Sequence, residues 1–322
     1  MEVDSIQPIS SKRFSIVDCG TNTFNLLVVD IIGDSWELVF SNKIPVKIGI
    51  GGFEDRRIQP GRMARALDVL KHYQEISQLY QVHQTRVVAT SAIRDALNQQ
   101  DLIDKVKEWT GWEMEVISGD EEAQLIYEGV RMSGPIGMDR SLIMDIGGGS
   151  TEWIIANENQ VFWKKSYPLG VSRLFERIQP SDRLTNDNIA SLRKVLDTEL
   201  VDLKQALERY PCVQLIGASG SFDTLLDIFY TSSGEKHAHR GHQQEIPLSA
   251  FPAIHLWLMG STLNERLKHP AIPGIRAEYM PLSSLMVKYI LEISKCRKMF
   301  RSEFALKEGL LQRVISDLSY LR

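Results

Sequence analysis

The chain has 322 residues, 43% hydrophobic and 24% charged, which is enough for two ordinary domains with a core in each. Its net charge of -4, from 37 Lys+Arg against 41 Asp+Glu, supplies no basic surplus for nucleic-acid binding, so any polyanion must be met by a local patch. Cys19, Cys212 and Cys296 are too few and too widely spaced for a disulfide framework or a zinc site, and none opens a Cys-x5-Arg phosphatase loop. With no basic-then-apolar leader and no run of ~18 apolar residues, the expected setting is the cytoplasm.

In chain order, "RFSIVD" (13–18) reads as a β-type run ending in aspartate, "CGTNT" as a tight turn, and "FNLLVVDII" (24–32) as the returning strand. "QPGRMARALDVLKHYQEISQLYQ" has helical apolar spacing with Pro60 near its start. "VVATSAIRDAL" (87–97) reads as a buried strand, a turn of small residues and a helix start. The second half repeats this order. "SLIMD" (141–145), "IGGGST" and "EWIIA" (152–156) form another strand-turn-strand with aspartate at the bend. A long helical stretch, "LTNDNIASLRKVLDTELVDLKQALERY", is stopped by Pro211, and "LIGASGSFDTL" (215–225) follows. Asp18 precedes Ser91 by 73 positions and Asp145 precedes Ser219 by 74. Nearly equal separations in two motif pairs indicate a duplicated α/β unit, two similar domains facing one cleft. "SSGEKHAHRGHQQE" (232–245) reads as an exposed polar loop, so His237, His239 and His242 are expected to be solvated. "MPLSSLMVKYILEIS" and "EFALKEGLLQRVISDL" close the chain as helices around "KCRKMF".

The chemistry is expected at the two aspartate turns. A carboxylate at a strand end can hold hydrated Mg2+, which takes one or two such ligands. Turn amides cradle phosphate, and Gly147, Gly148 and Gly149 let the backbone approach closely. Thr21, Asn22, Ser150 and Thr151 add side-chain donors. Neither a Walker A sequence nor G-x-G-x-x-G is present. In "SGDEEA" (118–123), Ser118 and Glu121 also have capping-box spacing at the start of a helix.

Taken together, "DCGTNTFNL", "ATSAIR", "ISGDEEA", "DIGGGSTE", "GASGS" and "ALKEGLL" resemble the exopolyphosphatase / guanosine pentaphosphate phosphohydrolase (Ppx/GppA phosphatase) family over nearly the whole chain. The resemblance implies a duplicated actin-like, ribonuclease H-like ATPase fold. It implies a hydrolase that uses Mg2+ to release the terminal phosphate of inorganic polyphosphate, guanosine pentaphosphate, or both. On that pattern Glu121 is the general base, and Asp18, Asp145 and Glu152 are the metal-side carboxylates. Thr21, Asn22, Thr23, Arg94, Gly147, Gly148, Gly149, Ser150 and Thr151 bind phosphate. Gly217, Ser219 and Gly220 stand where ATP-binding relatives hold adenosine, or only line the cleft. The expected domains are 1–127 and 128–303, with a hinge near 128–140 and the last helix, 304–322, packed back on the first domain. A homodimer is compatible with the resemblance; nucleic-acid and membrane partners are not expected.

Two departures from the family pattern stand out. The family often has "RAD" where this chain has "RAEYM" (276–280), which leaves that contact open. Longer relatives continue into a helical, HD-like region, so a chain ending at Arg322 is expected to be less processive and to favour short polymers or guanosine pentaphosphate. Two other readings compete: an ATP-dependent small-molecule kinase of the same fold, and a non-catalytic sensor of polyphosphate or an alarmone. The hydrolase reading requires Glu121, opening the 119–132 helix, to meet Asp18 and Asp145 in one crevice.

Overall fold

The computed structural model describes residues 12–134, 136–234 and 241–320, and within them the chain builds two mixed sheets on either side of a cleft. The first half runs β1 (Lys12–Cys19), β2 (Thr23–Ile32), β3 (Ser35–Pro45), α1 (Pro60–Leu79), β4 (Gln84–Ala89), the single turn α2 (Ser91–Arg94), α3 (Gln99–Thr110) and β5 (Met114–Val116). Strand order is β3-β2-β1-β4-β5, with β1–β3 antiparallel and β1, β4 and β5 parallel.

After α4 (Gly119–Ser133) the pattern recurs with β6 (Ser141–Ile146), β7 (Thr151–Ala156), β8 (Val161–Tyr167), α5 (Val171–Ile178), α6 (Asn186–Glu199), α7 (Val201–Arg209), β9 (Gln214–Ala218) and α8 (Gly220–Ser233). The chain then forms β10 (Gln243–Glu245), α9 (Phe251–Gly260), α10 (Leu263–Lys268), α11 (Gly274–Ala277), α12 (Met280–Ser294), β11 (Lys298–Ser302) and α13 (Leu306–Tyr320). Strand order is β10-β11-β9-β6-β7-β8. Setting β6, β7, β8, β9 and β11 against β1, β2, β3, β4 and β5 reproduces every pairing and its direction, with β10 as an added edge. The duplication read from motif spacing is therefore a duplication of topology.

Local sequence explains most elements. Proline occupies the start of α1, where its missing N–H costs nothing, and Met63, Leu67, Leu70 and Tyr73 turn one face inward. The Tyr73 hydroxyl donates to the Phe24 carbonyl at 2.8 Å, fixing that helix to β2. Every residue of β6 and β7 is buried, which is why both read as nearly unbroken apolar runs and why their acidic residues stand out. The helix expected over 184–210 is two helices, broken at Leu200 with φ −101° and ψ 26°. Periodicity misses that break because Leu192, Leu196, Leu200, Leu203 and Leu207 keep helical spacing through it and are all buried.

Between the sheets lies a layer of two helices. Phe14, Ile16, Leu27 and Val29 of the first sheet share a core with Ile143, Ile154 and Ile216 of the second, through Ile126 and Val130 of α4 and Leu310, Leu311 and Val314 of α13. The helices cross at glycines. A Cβ on Gly129 would lie 1.9 Å from the Ala305 carbonyl oxygen, and one on Gly309 would lie 1.9 Å from that of Leu125. Arg313 of α13 clamps the pair, donating from Nε and Nη2 to the Glu128 carboxylate at 2.7 and 3.0 Å.

Candidate active site

Strand register sets out two rows of side chains. Across the first sheet Asp18 pairs with Asn25 and Asn25 with Lys43; across the second Asp145 pairs with Glu152 and Glu152 with Ser166. Directly paired residues project from the same face of a sheet. Asp18, Asn25, Lys43, Asp145 and Glu152 accordingly line one cleft. Asn25 Nδ2 donates to Asp18 Oδ2 at 2.9 Å, while the buried Asp18 Oδ1 has no hydrogen-bond partner among the described residues. Ser166 Oγ donates to Glu152 Oε1 at 2.7 Å.

The two turns face each other across this cleft. Gly20, Thr21, Asn22 and Thr23 line it from one side, and Gly147, Gly148, Gly149 and Ser150 from the other. The first turn of α5 takes up the glycine carbonyls: the Val171 amide donates to Gly147, those of Ser172 and Arg173 to Gly148, and Arg173 Nε to Gly149, at 2.8–3.1 Å. Because N–H and C=O point opposite ways across a trans peptide, the amides of Gly148, Gly149 and Ser150 are turned away from α5. A Cβ on Gly148 would lie 2.8 Å from the Asn22 side chain, and one on Gly149 would lie 2.6 Å from Ser91 Oγ and 2.7 Å from Thr21 Oγ1. Glycine is needed here because the turns nearly touch. Ser172 Oγ donates to Asn22 Oδ1 at 2.8 Å, and Arg173 pairs with Asp95, so α5 ties the second sheet's turn to the first half of the chain.

The helix-opening acid requires a correction. Glu121 does not face the cleft. Its amide caps onto Ser118 Oγ at 3.1 Å as the capping-box spacing requires, but its carboxylate, 39% exposed, turns outward to Arg313. The residue that faces the cleft is Glu122, whose side chain is 9% exposed. Gly119 brings α4 close enough for this, since a Cβ there would lie 2.6 Å from Ser166 Cβ. The cause is helical phase. Glu121 and Glu128, two turns apart, share the face that meets Arg313, whereas Glu122 lies one turn before Ile126 on the buried face. Extending the apolar phase of Ile126 and Val130 back one turn selects Glu122.

Arg94 is also placed otherwise than expected. Its Nη1 donates to Glu122 Oε2 at 2.8 Å and to the Ile117 carbonyl at 3.0 Å, and it does not line the cleft. That hydrogen bond holds the Glu122 carboxylate in place. Burial pushes the Glu122 carboxyl up to about 7, with the Arg94 cation opposing and Asp145 and Asp18 reinforcing. Burial likewise raises Asp145 to about 6, opposed by Ser219 and reinforced by Asp18. Burial, then Glu122 and Asp145, raise Glu152 far above the usual carboxylate range; Asp18 is raised, again chiefly by burial.

The model of the Ppx/GppA phosphatase family matches residues 18–317. The chain belongs to that family. An exopolyphosphatase from Cytophaga hutchinsonii is 34% identical, covers 95% of this chain and 98% of its own, and superposes with a TM-score of 0.92. The Ppx/GppA family member of Aquifex aeolicus, 23% identical, has the same fold, with a TM-score of 0.80 over 96% of this chain and 99% of its own. A guanosine-5'-triphosphate,3'-diphosphate pyrophosphatase from Vibrio cholerae is 29% identical over 316 residues, 97% of this chain but 61% of the relative. The chain thus spans about three fifths of the curated relatives it matches. The fold is a duplicated α/β arrangement shared with these relatives.

Within this Ppx/GppA fold the remaining expected residues divide. Ser219 and Gly220 line the cleft, Ser219 at φ +76° with its hydroxyl donating to the Ile146 carbonyl at 3.0 Å. Gly217 does not; the Phe222 ring packs over it. Thr151 is wholly buried and donates to the Leu169 carbonyl at 2.9 Å, so it braces the glycine turn from behind. The glutamate of "RAEYM", Glu278, lines a separate cavity beside Phe175 and Leu267, whereas Arg276 lies in the main cleft over Gly220. His242 stacks on Phe304 with ring centroids 4.2 Å apart and pairs with Glu303 at 2.9 Å; His237 and His239 lie outside the described residues. Reading the motifs missed Asn25, Lys43, Thr90, Asp223, Lys307 and Glu308, which complete the cleft. For Asn25 and Lys43 the usable signal is strand register from Asp18; Lys307 and Glu308 stand in "ALKEGLL", a stretch that carried the resemblance without being given a site role.

The acidic set suits a hydrated divalent cation. Among the described residues no three His, Cys, Asp or Glu side chains converge closely enough to hold an ion alone. Mg2+ needs only one or two carboxylates when water and substrate phosphates complete its shell. The unpartnered, buried Asp18 Oδ1 facing Asp145 across the cleft meets that requirement.

Proposed function

We propose that this chain is a divalent-cation-dependent phosphohydrolase that releases the terminal phosphate of inorganic polyphosphate or guanosine pentaphosphate, with Glu122, not Glu121, as general base. The carrying observation is Glu122 itself: a buried carboxylate raised to about 7, facing two opposed phosphate-cradling turns. A base with a pKa near the working pH is the efficient choice for taking a proton from water. The names of the Vibrio cholerae and Cytophaga hutchinsonii relatives support the two substrates.

In this reading the terminal phosphoryl group sits between the turns, held by the amides of Gly148, Gly149 and Ser150 and by Thr21, Asn22 and Thr23. Asp18 and Asp145, with Glu152 behind them, would hold Mg2+, which supplies charge neutralisation at the phosphate oxygens. Glu122 orients a water for in-line attack. As the new P–O bond forms, the bridging P–O bond breaks and leaves its electron pair on the departing phosphate, while the water proton passes to Glu122 and then to solvent. Arg94 holds the carboxylate in line and limits the rise in its proton affinity. Such a transition state needs positioning and electrostatics more than covalent help.

The test is phosphate release from tripolyphosphate, long-chain polyphosphate and guanosine pentaphosphate, with Mg2+ and with chelator, for wild type, Glu122→Gln and Glu121→Gln. Loss confined to Glu122→Gln is expected. Full activity in that variant removes the base assignment, and wild type inert on all three substrates removes the hydrolase reading.

A further inference from the structure

We propose that Lys43 of β3, backed by Lys307 from the first turn of α13, forms a second anion subsite that binds the phosphate behind the scissile one, making the cleft selective for substrates whose leaving group is itself a phosphate. This rests on the hydrolase reading above and adds a specificity determinant to it.

Most cations at the cleft already have partners. Arg94 Nη1 is engaged by Glu122, and the residue does not line the cleft. Arg276 donates to Thr224 Oγ1 at 3.1 Å and approaches Asp223 at 3.5 Å. Lys307 pairs with Glu308. Lys43 makes no hydrogen bond or ion pair among the described residues; it lines the cleft, exposed as a residue but with protein crowding its ammonium. A lysine on an edge strand often serves only to discourage sheet-to-sheet association. Lys43 belongs instead to the row that faces the cleft, two strands across from Asp18, about 10 Å at the usual strand spacing. That separation leaves room for the terminal phosphoryl group at the turns and a further phosphate beside β3.

The surroundings agree. Burial, then the nearby Arg276 and Lys307, hold the Lys43 ammonium below the usual lysine range, with Asp223 and Asp18 opposing. Lys307 in turn lies within electrostatic reach of Asp18 and Asp223. Mutually repelling cations gathered at one end of a cleft are relieved by an anion placed between them. The corresponding position of the second sheet is Ser166, which is committed to Glu152, so the subsite is confined to one copy of the repeat.

The experiment compares wild type, Lys43→Met and Lys43→Arg on tripolyphosphate. Lys43 has no partner to orphan, so the fold should persist, which a thermal melt checks. Lys43→Met is expected to raise KM by about 10- to 100-fold, the worth of one charge-assisted hydrogen bond, with kcat changed by less than about 3-fold. Lys43→Arg is expected to recover most of the loss. An unchanged KM, or a fall in kcat alone, overturns the subsite. Calorimetric binding of tripolyphosphate to the same three proteins reads the subsite without turnover. Equal affinity in wild type and Lys43→Met overturns it even if wild type proves inactive, whereas inactivity with a Lys43-dependent affinity overturns only the hydrolase reading.

Discussion

The row Asp18–Asn25–Lys43 and the row Asp145–Glu152–Ser166 occupy the same register of the same three-stranded ribbon, one in each copy of the repeat. Their chemistry has diverged. The first copy follows its carboxylate with an amide and an ammonium; the second follows it with another carboxylate and a hydroxyl. The helix between the sheets deepens the difference, because α4 packs against β8 and places Glu122 beside Glu152. Acid is therefore concentrated on the second sheet and cation on the first. Duplication supplied a symmetric backbone cradle, and the asymmetric side chains give it a direction, with Glu122 and Glu152 on one side and Lys43 on the other.

The sharpest way to break this comparison is at the two adjacent glutamates. Glu122→Gln is expected to lower kcat by about 10²- to 10⁴-fold, the usual worth of a positioned base. Glu121→Gln should stay within about 3-fold of wild type, since it loses only a half-exposed pair with Arg313. Equal losses would erase the distinction between the two helix faces.

The shared helical layer gives the next largest effect. Gly129→Ala forces a methyl group to within 1.9 Å of a backbone oxygen and should destabilise the fold by about 3 kcal/mol, read as a lower denaturation midpoint with unchanged slope. A neutral result would mean that α4 and α13 can separate without cost.

Ser166→Ala tests the support beneath Glu152. Losing a hydroxyl that orients a metal-side carboxylate should cost about 10-fold in apparent Mg2+ affinity, measured by activity against Mg2+ concentration. Asn25→Ala is the matching change on the first sheet, and a far larger loss there would reverse the assignment of acid and cation sides.

The smallest effects are in pH dependence. Glu122 must be ionised to accept a proton, so kcat/KM should rise as pH climbs through about 7, and this rise should vanish in Glu122→Gln. Stability runs the other way. Glu122 and Asp145 keep their protons in the folded state up to about 7 and about 6, whereas in the unfolded chain they lose them near 4.5 and 3.8. The folded protein thus binds more protons across that window, and the stability of the cation-free protein should fall as pH rises from about 4 to about 7. Asp145→Asn should flatten the fall, and Mg2+ should raise the melting temperature near neutrality by binding the folded state alone. A stability curve flat in pH would show that these carboxylates are not buried without compensation.

Much of this was legible in one dimension. Strands ending in aspartate, glycine-rich turns and nearly equal motif separations follow from local chemistry, because tight turns demand glycine and buried strands demand apolar runs. The strands that were read pair in the structure as the repeat implies, whereas β3, β5, β8, β10 and β11 were not read as strands. The site was legible only in part. Asp18, Asp145, Glu152 and most turn residues line the cleft as expected, whereas Glu121, Arg94, Thr151 and Gly217 do not. Glu121 and Thr151 each stand one residue from a residue that does, Gly217 stands two from Ser219, and Arg94 backs Glu122 through its hydrogen bond.

The sequence alone determined the duplicated unit, the two acidic turns and the helix that opens with acid, all of which rest on contacts between near neighbours in the chain. Which of two adjacent glutamates faces the cleft, and which lysine lines it with that glutamate, was decided only by tertiary packing. Successive residues on a helix point about 100° apart. The face that turns inward is chosen by β8 and α13, elements that the chain reaches tens to nearly two hundred residues later.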